Sequence, residues 1–174
     1  MAWSLSVRTA SPDATCEVAA LLAGVARRGD VIVLQGDLGA GKTTFAQGFA
    51  RGLGVAGPVT SPTFTLVRQY PCALGQLVHV DVYRLDHLAE VADLGLGDLV
   101  EDGVVLVEWG DVARRALGTV TFTVAISRTH GGASARTCEP GARDDDRVLT
   151  VRADDETRRA EVAAALASST TGAA

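Results

Sequence analysis

Gly36-Asp37-Leu38-Gly39-Ala40-Gly41-Lys42-Thr43 is the stretch from which the rest of this chain can be read. It fills every fixed position of the pattern G-x-x-x-x-G-K-[ST], the phosphate loop. Directly before it, Val31-Ile32-Val33-Leu34 is a continuous apolar run, as expected for a strand covered on both faces. Directly after it, a helix is expected from Lys42 to about Leu53, with Phe45, Phe49 and Leu53 at helical spacing. Strand, glycine loop and helix is the order the motif requires. Gly36, Gly39 and Gly41 allow successive N–H groups to turn inward, making an anion nest at a helix N-terminus. Composition singles out the lysine as well. Of the sixteen basic side chains fifteen are arginine, and Lys42 is the one lysine. A compact ammonium on a slender stem fits a loop wrapped around phosphates, where a wide planar guanidinium does not.

The chemistry follows from the motif. Lys42 supplies a mobile charge at the terminal phosphates, and the Thr43 hydroxyl is placed to bind Mg²⁺. Mg²⁺ needs further oxygen ligands, which proteins of this class take from a carboxylate at the end of a neighbouring apolar strand. Two such acids exist: Asp81 ends Leu77-Val78-His79-Val80, and Glu108 ends Val104-Val105-Leu106-Val107. One acid per strand fits a division of labour, one holding the metal and the other orienting or activating water. Glu108 is preferred for the metal with Asp81 close by, and the sequence does not separate the two roles. The Asn-Lys-x-Asp motif that reads guanine is impossible in a chain whose single lysine is Lys42, so adenine is favoured by elimination. Thr60, Ser61, Thr63 and Thr65 make a hydroxyl-rich segment that reads either as a switch loop sensing the γ-phosphate or as a solvated loop. Trp109, next to Glu108, is either core packing or a working neighbour of the acid. His79 points the same way as Asp81 and is read as a satisfied polar core residue. Arg27, Arg28, Arg114 and Arg115 read as solvated helix faces, and Arg128, Arg136, Arg143 and Arg147 as solvated loop charges.

Working outward, Trp3 to Thr9 is a strand and Ser11-Pro12-Asp13 opens a helix running to about Arg27. An alternating stretch ends near Tyr70. A short helix is expected over His87 to Leu94, a turn at Gly95-Leu96-Gly97, and strands over Thr119–Ile126 and Val148–Val151. Residues 129–146 are glycine-rich and charged and read as a flexible loop. Asp154 to Ala167 is a helix, and Ser168 to Ala174 a frayed tail. The fold class is α/β, a P-loop NTPase-like three-layer sandwich with a mainly parallel central sheet and added antiparallel strands. Residues 1–153 form the ATPase domain, and 154–174 a C-terminal helix with a disordered tail. The 174 residues suit one domain; 47% are hydrophobic, enough for a substantial core. The net charge of -5 argues against an autonomous nucleic-acid binder, though not against service to nucleic-acid chemistry through partners. No apolar run approaches the roughly 18 residues that span a bilayer, so no membrane role is expected. Cys16, Cys72 and Cys138 are odd in number and lack metal spacing, which suits free thiols in a reducing cytoplasm.

Four motifs in one order carry a resemblance: the phosphate loop at 36–43, Thr-Ser-Pro-Thr-Phe at 60–64, His-x-Asp-x-Tyr-Arg-Leu at 79–85 and Glu-Trp-Gly at 108–110. Together they resemble the TsaE-type (YjeE-like) ATPases of tRNA N6-threonylcarbamoyladenosine biosynthesis, over about Ser11 to Ile126. The resemblance implies an α/β P-loop protein that binds ATP and Mg²⁺ and hydrolyses ATP weakly alone. It implies action with a threonylcarbamoyl transferase subunit and that subunit's paralogue, with tRNA reached only through the complex. Carried over by residue, it puts Gly36, Asp37, Leu38, Gly39, Ala40, Gly41, Lys42, Thr43 and Thr44 on the nucleotide. It gives Thr43, Asp81 and Glu108 to the metal, and Lys42, Asp81, Glu108 and Trp109 to catalysis. It makes Ser61 and Thr63 switch-like and sets Thr15 near the adenine. The 129–146 segment and the stretch after Ala153 depart from the compact ending usual in that family. Two other functions use the same loop: a small-molecule kinase with 129–146 as a lid, and a nucleotide-dependent binding module without useful hydrolysis.

Overall fold

The computed structural model describes residues 3–83, 95–109, 118–129 and 146–167. The expected helix over 87–94, nearly all of the 129–146 segment and the tail from Ser168 lie outside them.

Among the described residues, period-two alternation and continuous apolar runs become seven strands: β1 Ser4–Thr9, β2 Val31–Gln35, β3 Val67–Cys72, β4 Gly75–Asp81, β5 Gly103–Glu108, β6 Phe122–Arg128 and β7 Arg147–Arg152. They form one sheet in the order β1-β7-β6-β2-β5-β4-β3. Parallel pairing is confined to its centre, β6-β2-β5-β4. The β3–β4 hairpin closes one side, and β7 with β1 pairs antiparallel on the other. The sheet is therefore mixed, with parallel and antiparallel pairings evenly represented among the described strands. Pro71, which has no N–H to give a ladder, falls in β3, an edge strand where that loss is tolerated.

Four helices among the described residues pack on this sheet: α1 Pro12–Ala23, α2 Lys42–Gly52, α3 Leu96–Glu101 and α4 Glu156–Ala167. The Ser11 hydroxyl caps α1 by accepting from Ala14 N at 3.1 Å, and Pro12 occupies its first turn. The helix stops at Ala23, four residues short of the expected end. From Gly24 to Ala26 the chain tightens into three-residue turns, with Val25 N bonded to Leu22 O and Ala26 N to Ala23 O. The expected turn at residues 95–97 is instead the start of α3, whose N-cap Gly95 is left-handed at φ 61°.

The two faces of the sheet carry two cores. One packs Leu77, Leu106, Ile32, Leu34, Val124 and Leu149 against α1, α2 and α4. The other gathers Val31, Val33, Val78, Val80, Val105 and Val107, with Leu99 and Val100 of α3 against it. Alternation along β4 and β5 thus assigns Leu77, His79 and Asp81, and likewise Leu106 and Glu108, to the face shared with α2. The polar ends of the central strands meet the N-terminus of α2 on one face.

Candidate functional site

The loop between β2 and α2 wraps the helix N-terminus. Gly36 is at φ 143° and a Cβ there would stand 2.3 Å from Ile126 O, so β6 presses on the loop's first residue and admits no side chain. Lys42, the first residue of α2, is buried. Its Nζ donates to Gly36 O at 2.7 Å and Asp37 O at 2.9 Å, and lies 3.5 Å from the centre of the Trp109 ring. Burial pushes the Lys42 ammonium below its ordinary range, and the nearby carboxylates of Glu108, Asp81 and Asp37 oppose that only in part. An arriving polyanion would favour the charged form, which is what a phosphate-binding lysine requires.

Asp81 and Glu108 are register partners at the ends of adjacent parallel strands. That pairing is what brings two acids 27 residues apart in sequence side by side. Each is held by a different group of residues. Asp81 Oδ2 accepts from the Thr63 hydroxyl at 2.6 Å and from Ser61 at 3.2 Å, while Oδ1 accepts from Tyr83 N at 3.0 Å. Glu108 Oε1 accepts from the Thr43 hydroxyl at 3.3 Å and is 2.8 Å from His79 Nε2. Two hydroxyls of the 60–65 segment, those of Ser61 and Thr63, thus meet the acid, while that of Thr65 donates to Pro62 O and that of Thr60 accepts from Arg68. Trp109 follows Glu108 in a left-handed conformation, φ 63°, which is uncommon for a residue with a side chain. Its N–H reaches Leu34 O at 3.1 Å, and this turn swings the indole over Lys42 and against Tyr83, with ring centres 4.9 Å apart.

Leu38, Gly39, Gly41, Lys42, Thr43, Thr44, Ser61, Thr63, Asp81, Tyr83, Glu108 and Trp109 line one cleft of about 320 Å³. Most of the residues expected at the site are therefore together. Thr15 is not among the lining residues: it is buried, its hydroxyl 2.8 Å from that of Thr9 and bonded to Ser11 O at 3.2 Å. Its neighbour Cys16 does touch α2, donating to Thr44 O at 3.3 Å. A larger hollow of about 500 Å³, lined by Trp3, Thr121, Arg152 and Asp154, lies at the opposite ends of the strands and has no such convergence.

Three features escaped the sequence reading. His79 is bonded to the site, not merely to the core. Tyr83 walls the cleft. Arg128 and Arg147 were expected to be solvated loop charges, but they bond to the phosphate loop. Arg128 Nη2 donates to Gly39 O at 2.7 Å and Arg147 Nε to Ala40 O at 2.9 Å. The two arginines are cross-strand partners at the open end of β6 and β7. Only knowledge that β6 neighbours β2 could have pointed them at the loop.

The donor set suits a hard cation: a hydroxyl and two carboxylates, all oxygen. Among the described residues no cluster of three or more His, Cys, Asp or Glu is placed to hold a metal. Among the described residues, no helix is long and apolar enough to cross a membrane.

Fold and site together define an α/β protein in which a phosphate-loop motif faces a pair of strand-end acids. Residues 9–137, well over half of the chain, match the family model described as "Threonylcarbamoyl adenosine biosynthesis protein TsaE". This chain belongs to the TsaE family. A Bacillus subtilis (strain 168) protein named tRNA threonylcarbamoyladenosine biosynthesis protein TsaE is 41% identical over 150 residues, 86% of this chain and 85% of that one. A Streptomyces coelicolor protein of the same name is 50% identical over 119 residues, 66% of this chain and 80% of that one. The crystal structure of Bacillus subtilis YdiB superposes with a TM-score of 0.75 at 34% identity, covering 97% of each chain.

Proposed function

We propose that this chain is a P-loop ATPase of the three-layer sandwich type that serves tRNA threonylcarbamoyladenosine formation. It binds ATP with Mg²⁺, hydrolyses it weakly alone, and couples hydrolysis to turnover of a threonylcarbamoyl transferase complex acting on adenosine 37. The observation that carries this reading is the convergence of Lys42, Thr43, Asp81 and Glu108 in one cleft at the N-terminus of α2. The family supplies the pathway.

The residues divide the work as follows. The loop N–H groups and Lys42 hold the β- and γ-phosphates. Thr43 and Glu108 are the groups that would hold Mg²⁺, which when bound neutralises charge on the phosphates. Asp81 orients the attacking water, and its bonds to Ser61 and Thr63 tie that role to the 60–65 loop. Nucleotide state then sets the order of this loop and with it the affinity for the transferase subunit and its paralogue. Leu38 and Tyr83, apolar and exposed at 77% and 52%, line the cleft where such a partner would cover them. The chain meets tRNA only through that complex and works in the cytoplasm.

The test is multiple-turnover tRNA modification by the purified transferase pair with and without this protein. Turnover should require wild-type protein and ATP, and be lost with Lys42→Ala and with a non-hydrolysable analogue. Equal turnover with the analogue would make the chain a nucleotide-dependent binding module. Phosphate moved to a metabolite instead of water would make it a kinase.

A further inference from the structure

His79 has no exposed surface, and among the described residues its imidazole has one polar contact: Nε2 lies 2.8 Å from Glu108 Oε1. Its other nitrogen, Nδ1, is buried without a hydrogen-bond partner. A buried polar atom left unpaired destabilises the fold. Pure packing would be served better at this position by leucine, as in Leu106, which sits directly opposite His79 in the β4–β5 register. The imidazole is therefore kept for what Nε2 does. A carboxylate only accepts, so the proton in the His79–Glu108 contact is the imidazole's Nε2–H. That bond takes one edge of Glu108 Oε1 and leaves the carboxylate facing Thr43, whose hydroxyl stands 3.3 Å from the same oxygen.

We infer that His79 is the positioning residue of this site: it holds the Glu108 carboxylate in the orientation that, with Thr43, receives the cation of a Mg²⁺–nucleotide complex. The inference rests on the ATPase reading above and assigns it a residue. Asp81 is outside this contact: its Oδ2 accepts from Ser61 and Thr63 and its Oδ1 from the Tyr83 N–H. The two acids are thus held by separate supports, Glu108 from within the sheet and Asp81 from the loop. Partners that orient a metal-binding group from behind are typically worth 10–100-fold in metal affinity or activity.

The test pairs two variants with one spectroscopic signal. His79→Leu should lower Mn²⁺ affinity in the ATP complex, read by electron paramagnetic resonance, and kcat for hydrolysis, each by about tenfold or more. ATP binding in EDTA should change less than about twofold, since the loop and Lys42 are untouched. His79→Gln, whose amide N–H can reach the same oxygen, should restore most of both losses. In nucleotide-free wild-type protein with labelled histidine, the Nε2–H proton should exchange slowly and shift on Glu108→Gln but not on Asp81→Asn. Equal losses in the leucine and glutamine variants, or an equal loss of metal-free binding, would reduce His79 to packing and overturn the inference. So would wild-type Mn²⁺ affinity in His79→Leu, or a signal indifferent to Glu108. Wild-type protein that shows the signal but binds no adenine nucleotide overturns the ATPase reading and leaves the His79–Glu108 pairing supported.

Discussion

Lys42 is enclosed by two carbonyls and the face of an indole, at 5% exposure, in a space that accepts a point charge. A guanidinium is planar and wider, so retaining the charge at this position would not retain the contact. Lys42→Arg is expected to lose ATP affinity by about tenfold or more, close to the loss in Lys42→Ala, as measured by titration calorimetry. Arg128 makes the complementary case. It is exposed, so it contributes little to global stability, yet Nη2 and Nε both reach Gly39 O. Arg128→Ala should leave the melting temperature nearly unchanged while raising the ATP dissociation constant roughly fivefold, the equivalent of about 1 kcal/mol. An unchanged constant would return Arg128 to the solvated surface.

Between elements, α1 and α2 approach closely. A Cβ added at Gly48 would stand 2.4 Å from Cys16 Cα, so the two helix backbones touch where α2 lacks a side chain. Backbone atoms cannot give way as a side-chain tip does. Gly48→Ala should therefore separate the helices and destabilise the fold by roughly 1–3 kcal/mol, despite alanine's better helix propensity, in a urea unfolding series. Because α2 begins at Lys42, the same substitution should weaken ATP binding as well. A Gly48→Ala protein as stable as wild type would show that the crossing is looser than this geometry.

Across the molecule, the C-terminal helix is tied to the centre by Arg158. This buried side chain bonds to Asp30 in the turn before β2, to Glu161 at 2.8 Å and to Val25 O at 2.9 Å, and stacks 4.7 Å from the Phe122 ring. Val162 and Leu166 on the same helix complete the core on that face. Removing one member of a buried charge pair leaves the other without compensation. Arg158→Ala should cost about 3 kcal/mol in equilibrium unfolding, with Asp30 keeping the Arg27 N–H and the Thr121 hydroxyl but losing the Arg158 charge, and leave ATP affinity per folded molecule unchanged. A chain ending at Ala153 loses Arg158, Val162 and Leu166 together and should fail to unfold cooperatively.

Local pattern was enough for the elements nearest the site and for most of the cleft. The phosphate loop, the apolar strands before it and before the two acids, and the capped helix at Ser11 are encoded in runs of ten residues or fewer, where neighbours in sequence decide the outcome. The end of α1 and the start of α3 were misread because both turn on how a few backbone N–H groups are satisfied, which side-chain pattern does not report. The pairing of Asp81 with Glu108, the attachment of His79 to Glu108 and the reach of Arg128 and Arg147 to the loop depend on strand order and register. Those are long-range facts: β2 lies between β5 and β6, although more than sixty residues separate it from either in the chain. Residue types and spacing therefore settled that this protein carries a phosphate loop with two candidate acids. Sheet order alone settled which acid meets Thr43, because a hydrogen bond between distant segments is written in their packing and in no single stretch of the chain.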